Sequence, residues 1–468
     1  MKSEYGKLTR KLIAEIIEIA GSENILTEIL DTEGYSIDEM PWPVKYPPQI
    51  VVKPGDTQTI SKILNLANIH KIPVTPRGAG TGVSGGCTPI HGGIVLSLEK
   101  MDRVVEIDNK NFVAVVEPGV TLQKLREYAE KSGLYYPVYP GELSATLGGN
   151  VATNAGGMNA VKYGVTRHHV LGVEAVLPDG SIIESGGKYV KSSSGYDLTQ
   201  LLVGSEGTLA VVTRIILKLS AKTVHREVLY VPFHNLQNAI DAVPEILLLE
   251  MTPVGLEFFE RDIIEILEKH TGKEMPYHDY EAFLMLIMDG DSEDEIYRYF
   301  SMVEEICKKH GAVAAMVPSG ERAKRRLLEA REKFFPAIKS YAPLEVLDTV
   351  VPRSEVAKFV RRVKEISVEY GIPVIAYGHA GDGNVHLHPI CLNITEKEWQ
   401  IKIPGMMKAI YMACFSFGGA VSGEHGIGYT KKQYLTLQLT GEGLQIMKSI
   451  KRAFDPNNIL NPGKIFDL

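Results

Sequence analysis

Residues 76–86 read Pro-Arg-Gly-Ala-Gly-Thr-Gly-Val-Ser-Gly-Gly, and the segment just after them limits the folds open to this chain. Gly80 to Gly85 match the spacing G-x-G-x-x-G. In a Rossmann unit that spacing opens a helix whose N-terminus faces the pyrophosphate. Here the chain continues Cys87-Thr88-Pro89-Ile90-His91-Gly92-Gly93 and then enters a strand pattern. The helix is missing, so a standard NAD domain is excluded. Successive glycines can still turn consecutive backbone N–H groups inward as an anion nest. Thr81 and Ser84 add hydroxyl donors there, and Arg77 adds positive charge. A second block rich in glycine and hydroxyls, Ala145 to Gly157, repeats this chemistry. Two such loops suit a long, diphosphate-bearing cofactor better than a single phosphate; the plainer alternative is a pair of glycine-rich turns.

The 468 residues are too many for one hydrophobic core, and length alone suggests roughly two to four domains. A helical lead-in over 1–45 is closed by Pro41-Trp42-Pro43 and Pro47-Pro48. Gln49–Lys53 reads as a strand, and Asp56 caps a helix to about Lys71 with Ile60, Ile63, Leu64 and Ala67 at helical spacing. Strands come next at Ile72–Thr75, Ile94–Leu98, Val104–Ile107 and Ala114–Val116, then a helix from Thr121 to about Ser132. Val173–Leu177 and Ile182–Glu184 flank the turn Pro178-Asp179-Gly180, a hairpin signal. Near Lys222 the pattern changes to charged helices mixed with strands, which predicts an α+β domain on a largely antiparallel sheet. The expected division is 1–221, 222–415 and a C-terminal segment, 416–468, holding a Glu-His turn, one helix and an Asn-Pro-Gly-Lys tail.

A net charge of −7 gives no electrostatic case for nucleic acid or an anionic membrane. Apolar and charged fractions of 44% and 23% are those of an ordinary globular chain. No run approaches transmembrane length, and the N-terminus leads into an amphipathic helix instead of a signal core. Cys87, Cys307, Cys391 and Cys414 are widely spaced, with no C-x-x-C. They suit a reducing cytosol and form neither a disulfide framework nor an iron–sulfur site.

The densest chemistry lies at Gly378-His-Ala-Gly-Asp-Gly-Asn-Val-His-Leu-His388 and Gly423-Glu-His-Gly426, read as two glycine-punctuated turns. His379, His386 and Glu424 are ligand types that suit a divalent metal, with His425 a nearby candidate base. A metal beside a base is apparatus for deprotonating a weakly acidic hydroxyl. The alternative is a tight turn with hydrogen-bonded packing histidines.

These motifs, with Pro140-Gly-Glu-Leu-Ser-Ala-Thr-Leu-Gly-Gly-Asn-Val-Ala-Thr-Asn-Ala-Gly-Gly157, Gly204-Ser-Glu-Gly-Thr-Leu209 and Asn461-Pro-Gly-Lys464, occur in the order found in one family. From about residue 45 onward the chain resembles the FAD-linked 2-hydroxy-acid dehydrogenases: the glycolate oxidase D subunit, D-lactate dehydrogenase and D-2-hydroxyglutarate dehydrogenase group. The resemblance implies a two-lobed FAD-binding domain of the vanillyl-alcohol-oxidase type, an α+β cap domain, and a C-terminal segment returning to the FAD lobe. It implies non-covalent FAD, its pyrophosphate held by Arg77, Gly78, Ala79, Gly80, Thr81 and Gly82 with Ser84, Gly85 and Gly86. Pro140, Glu142, Thr146, Gly149, Asn150, Thr153 and Gly156 would line the flavin and its linker, with Glu206, Asn461 and Lys464 near the cofactor.

The activity implied is oxidation of a 2-hydroxy acid by hydride transfer to flavin N5. His379, His386 and Glu424 would hold a divalent ion, zinc first with manganese or iron as alternatives, and His425 would be the general base. Arg331 matches the family's carboxylate-binding arginine; read from sequence alone it is equally a surface helix residue pairing with Glu329 or Glu332. His388 stands where relatives often carry Asn, and is a substrate contact, a support for a ligand, or a fourth ligand. Relatives that take dicarboxylates carry a second basic residue in the segment equivalent to Glu345–Asp348, and this chain has none. That favours D-lactate or glycolate over D-2-hydroxyglutarate. The electron acceptor is expected to be an iron–sulfur subunit, an electron-transfer flavoprotein, or a quinone or cytochrome. The protein is expected in the cytoplasm, reaching a membrane only through a partner, with a homodimer as the family-level expectation. The competing readings are an alkyl-dihydroxyacetone-phosphate-synthase-like transferase and a non-catalytic flavin subunit of an oxidase complex.

Overall fold

The computed structural model describes residues 5–42 and 44–468. Pro43, in the expected Pro-Trp-Pro closure, and residues 1–4 of the lead-in lie outside them. The chain divides into two compact units. One holds residues 1–155, 165–222 and 424–468; the other holds 156–164 and 223–423. The two principal boundaries fall at 222/223 and 423/424, against 221/222 and 415/416 from the sequence. The short excursion 156–164 had no sequence signal.

In the first unit, β1 (Ile50–Val52), β2 (Val74–Arg77) and β3 (Ile94–Ser97) form a parallel sheet in the order β1-β3-β2, edged by a two-residue segment at Ile25–Leu26. The helix Thr57–His70 links β1 to β2, as a parallel crossover requires. Asp56 caps it by accepting from the Thr59 amide at 2.9 Å, and Lys71 ends it in the left-handed conformation at φ 52°. Its buried stripe, Ile60, Ile63, Leu64 and Ala67, enters one core with Ile50, Val52, Val74, Ile94 and Leu96. Each of the Ile, Leu and Val side chains contributes about 1.5–3 kcal/mol on burial. A second sheet, antiparallel, joins β4 (Val104–Asp108), β5 (Val113–Val116), β6 (Val170–Val176), β7 (Ile182–Gly186) and β8 (Val211–Lys218) in the order β4-β5-β8-β6-β7. The β6–β7 connection is the Pro-Asp-Gly turn, with Gly180 at φ 88°.

The C-terminal tail closes this unit by pairing with β2. The Val74 amide donates to Ile459 O at 2.8 Å, and the Asn461 amide donates to Val74 O at 2.7 Å. Behind this junction Lys451, on the helix Gly441–Phe454, is buried and ion-paired with Asp455. Its ammonium also donates to Thr208 O at 2.7 Å and Leu460 O at 2.8 Å. Asp455 accepts in turn from the Ile459 and Leu460 amides.

The second unit is built on a six-stranded, wholly antiparallel sheet. Its strands are β9 (His225–Phe233), β10 (Gly255–Glu260), β11 (Ala282–Gly290), β12 (Leu347–Val350), β13 (Val374–His379) and β14 (Asn384–Pro389), in the order β9-β11-β10-β13-β14-β12. Helices Leu236–Leu247 and Glu293–Lys309 pack against β11, and Arg261–Thr271 and Val356–Tyr370 against β13. This cover explains why β11 is apolar almost throughout. The histidine cluster departs from the expected pair of turns. His379 ends β13 and His386 and His388 lie within β14, so only Ala380–Gly383 form a turn. Val385 and Leu387 alternate with the histidines and point to the opposite face, which is a strand's period of two.

Removing one partner of the buried Lys451–Asp455 pair strands a charge away from water. Asp455→Ala is expected to lower stability by about 3–5 kcal/mol, read from chemical unfolding; a loss below about 1 kcal/mol, the range of an exposed pair, would show that the tail junction does not rest on it.

Candidate active site

In the first unit, the loop after β2 and the block 145–153 border a cleft. It is lined by Arg77 to Gly82, Ser84, Gly86, Thr146, Gly149, Asn150, Thr153, Glu206 and His425, all expected from the sequence. The glycines are demanded by close approach: a Cβ on Gly78 would stand 2.2 Å from Thr146 Oγ1, and one on Gly148 would stand 2.6 Å from Pro118 Cβ. Among the described residues, the backbone amides of Ala79, Gly80, Thr81 and Gly82 have no protein acceptor. Thr146 Oγ1 and Asn150 Nδ2, both buried in the cleft wall, also lack a protein partner. Buried donors without partners are costly, so this wall is built for a polar ligand, and a row of amides in a glycine loop fits a pyrophosphate.

Several expected cofactor residues also hold the wall in place. The Arg77 guanidinium donates to Ile37 O at 2.7 Å and Gly34 O at 3.1 Å, so it holds the N-terminal segment against the loop. Gly85, at φ 71°, packs against Tyr429 and Met40. Asn461 donates to Gly86 O at 2.9 Å and Glu206 O at 2.7 Å, and Lys464 donates to Thr88 O at 2.7 Å. Burial holds the Lys464 ammonium down at about 8. The Glu206 carboxylate accepts from the Ile427 and Gly428 amides, each at 2.7 Å, and so fixes the turn after Glu424 and His425. Ser84 Oγ reaches His425 O at 3.2 Å, and His425 Nε2 lies 3.9 Å from Glu424 Oε1. Glu142 is exposed, and its carboxylate accepts from the Ser144 amide. Pro140 is half-buried, and Gly156 opens the segment assigned to the second unit.

Asp38 was missed by the sequence reading. It lines the cleft, accepts from the Met40 amide at 3.0 Å, and burial raises its pKa to about 6.

In the second unit, register assembles the histidines. Glu257 of β10 pairs with His379 of β13, and Tyr377 of β13 with His386 of β14; Asp348 of β12 faces His386 across the next ladder. His379 Nε2 and His386 Nε2 face one another at 3.4 Å. Two nitrogens at about 2.0–2.1 Å from a tetrahedral ion would stand about 3.4 Å apart, so the pair fits a shared divalent cation. Glu257, fully buried, was not foreseen: its Oε1 lies 2.6 Å from His379 Nδ1, and its Oε2 accepts from Arg331 Nε at 2.8 Å. Asp348 Oδ1 lies 3.6 Å from His386 Nδ1, and the Asp348 carboxylate accepts from Asn384 and Ser422.

Arg331 departs from the surface-helix reading. It is buried, its Nε and Nη2 edge is bound to Glu257, and its guanidinium lies 4.8 Å from the Tyr377 ring centroid. It therefore neither pairs on the surface with Glu329 or Glu332 nor presents its whole fork to a ligand. His388 is buried, hydrogen-bonded through Nε2 to the Tyr377 hydroxyl at 3.1 Å, and flanked by Phe335. Gly423, the last residue of this unit, donates its amide to Asp348 O at 2.9 Å, and Glu424 and His425 come directly after it along the chain.

Sequence comparison agrees with this geometry. The family described as "FAD linked oxidases, C-terminal domain" matches residues 222–465, and "FAD binding domain" matches residues 48–186. The chain therefore belongs to the FAD-linked oxidases, and within them to the 2-hydroxy-acid dehydrogenase group. It is 42% identical to a D-lactate dehydrogenase of Archaeoglobus fulgidus, over 93% of this chain and 96% of that one. It is 38% identical to the glycolate oxidase subunit GlcD of Bacillus subtilis, over 98% and 97%. The fold is that of p-cresol methylhydroxylase, at a TM-score of 0.81 and 19% identity over 98% of each chain. It is a flavoprotein oxidoreductase with two-domain FAD-binding architecture. Among the described residues, no helix is long and apolar enough to cross a membrane.

The raised pKa of Asp38 carries a sign. Between about 4 and 6 the folded protein holds a proton that the unfolded chain has released, so this group's contribution to stability falls as pH rises through that window. Asp38→Asn keeps the Oδ1 acceptor and removes the slope. Before flavin is added, the variant is expected to gain about 2–3 kcal/mol on wild type between pH 4 and pH 7; an equal difference at both pH values would contradict the burial account.

Proposed function

We propose that this protein oxidises a small D-2-hydroxy acid, D-lactate or glycolate, to the 2-oxo acid and passes the electrons to a separate acceptor. The observation that carries the reading is the facing pair of Nε2 atoms on His379 and His386, 3.4 Å apart, in a chain with a glycine-lined cofactor cleft. When bound, FAD supplies the hydride acceptor, and a divalent ion, zinc by preference with manganese or iron as alternatives, supplies Lewis-acid polarisation of the substrate hydroxyl. His379 and His386, whose Nε2 atoms face one another, would hold the ion. Glu424 is the third ligand on this reading; it comes immediately after Gly423, whose amide is bonded to the Asp348 strand, and a trans peptide keeps consecutive Cα atoms about 3.8 Å apart. His425 takes the hydroxyl proton on this reading, since the residue lines the same cleft as the cofactor loops.

Arg331 grips the substrate carboxylate with the donors that Glu257 leaves over, so it offers one edge of its fork. His388, held by Tyr377, contacts the substrate on this reading. Segment 345–348 contributes two carboxylates, Glu345 and Asp348, and no cation. Burial pushes Glu345 up to about 7. That composition supports a monocarboxylate over a dicarboxylate. Cys87, Cys307, Cys391 and Cys414 are all unbridged and scattered, so onward electron transfer falls to an iron–sulfur subunit, an electron-transfer flavoprotein, or a quinone or cytochrome.

His425→Ala is expected to keep its FAD and to slow substrate-driven flavin reduction by about 10²–10⁴-fold, the usual contribution of a positioned base. Stopped-flow reduction at the wild-type rate would remove His425 from the reaction.

A further inference from the structure

Glu257 is fully buried on the histidine face, where one oxygen meets a proposed ligand and the other the proposed substrate arginine. It sits on β10 with its neighbours Leu256 and Phe258 turned to the other face of the sheet. Register places it directly opposite His379, the closest side-chain relation two strands offer. Its two oxygens are divided: Oε1 meets His379 Nδ1 at 2.6 Å, and Oε2 accepts from Arg331 Nε at 2.8 Å and Nη2 at 2.7 Å.

Both Glu257 oxygens are placed as acceptors: Oε2 faces the Arg331 N–H groups and Oε1 faces His379 Nδ1, and a carboxylate accepts. The proton of the His379–Glu257 bond therefore sits on Nδ1, which leaves the Nε2 lone pair aimed at His386. We propose that Glu257 is a positioning residue that selects the Nε2-ligating tautomer and ring orientation of His379 and, through its second oxygen, ties that ligand to Arg331, so that ion and substrate carboxylate are held in one fixed relation. The inference rests on the metal reading given above and deepens it. A buried carboxylate behind a ligating imidazole orients the ring and raises its basicity. Here the carboxylate also takes one edge of the arginine, leaving the other edge as its only recognition face.

The test uses purified, flavin-loaded protein equilibrated with zinc and then dialysed against graded chelator, with zinc and FAD per chain measured together. Wild type is expected to retain zinc. Glu257→Gln is expected to bind it about 10–100-fold more weakly, the usual effect of losing such a support, with FAD content unchanged. Glu257→Asp, which keeps the charge on a shorter arm, is expected to recover part of the loss. Because Glu257→Gln leaves Arg331 buried without its counter-charge, the double variant Glu257→Gln/Arg331→Met provides the control for folding. Weak zinc binding in that folded, flavin-replete double variant supports the proposal; zinc binding restored to wild type would mean that Glu257 only neutralises Arg331, and would overturn it. Equal zinc affinity in wild type and Glu257→Gln overturns this inference alone. Wild type that binds neither zinc nor manganese overturns the metal reading itself, and Glu257's role with it.

Discussion

The registry of four adjacent strands, β10, β13, β14 and β12, governs the chemistry of the second unit. It sets Glu257 against His379, Tyr377 against His386, and His386 against Asp348. Side chains alternate across a sheet, so a slip of one residue in any ladder would move an imidazole or a carboxylate to the opposite face. That face is apolar: Val385 and Leu387 are fully buried there. The register is thus enforced by hydrophobic burial on one side of the sheet, while its chemical consequence lies on the other. Buried Glu257 and Asp348 are tolerable only because their oxygens are taken up by Arg331, His379, Asn384 and Ser422.

The first unit solves a different problem. Its cleft exposes amides and hydroxyls that a protein interior would otherwise have to pair, and it can do so because the surrounding loops are anchored from outside. Arg77 ties down the N-terminal segment, Glu206 grips the Ile427–Gly428 turn, Asn461 binds Gly86 O of the glycine loop, and Lys464 binds Thr88 O just after it. Several polar residues that a motif reading assigns to the cofactor also serve as the scaffold that holds the cleft wall in place. The Lys451–Asp455 pair extends that scaffold into the C-terminal helix.

Much of this was legible in the chain itself. The Asp56 cap, the Pro-Asp-Gly hairpin and the missing helix after Gly86 are local signals, and local signals survive without tertiary context. The glycine loops were legible as a ligand cradle because glycine density has few other causes. What sequence could not give was direction: nothing in Arg77 says that its guanidinium turns toward Gly34 and Ile37. His386 and His388 were read as turn residues because the flanking glycines dominate, although Asn-Val-His-Leu-His already alternates as a strand does. Glu257 carried one faint signal, an acid within the apolar run Gly-Leu-Glu-Phe-Phe. Its partners lie 74 and 122 residues away, so only the fold brings them together.

The central claim, metal-assisted oxidation of a D-2-hydroxy acid by bound flavin, is tested most directly by anaerobic mixing with D-lactate, L-lactate, glycolate and D-2-hydroxyglutarate, monitoring the oxidised flavin absorbance before and after chelation. The account predicts bleaching by D-lactate or glycolate, none by L-lactate, and loss of that bleaching once the metal is removed. Bleaching that survives chelation would contradict the role given to His379, His386 and Glu424, and no bleaching with any of these acids would contradict the dehydrogenase reading as a whole.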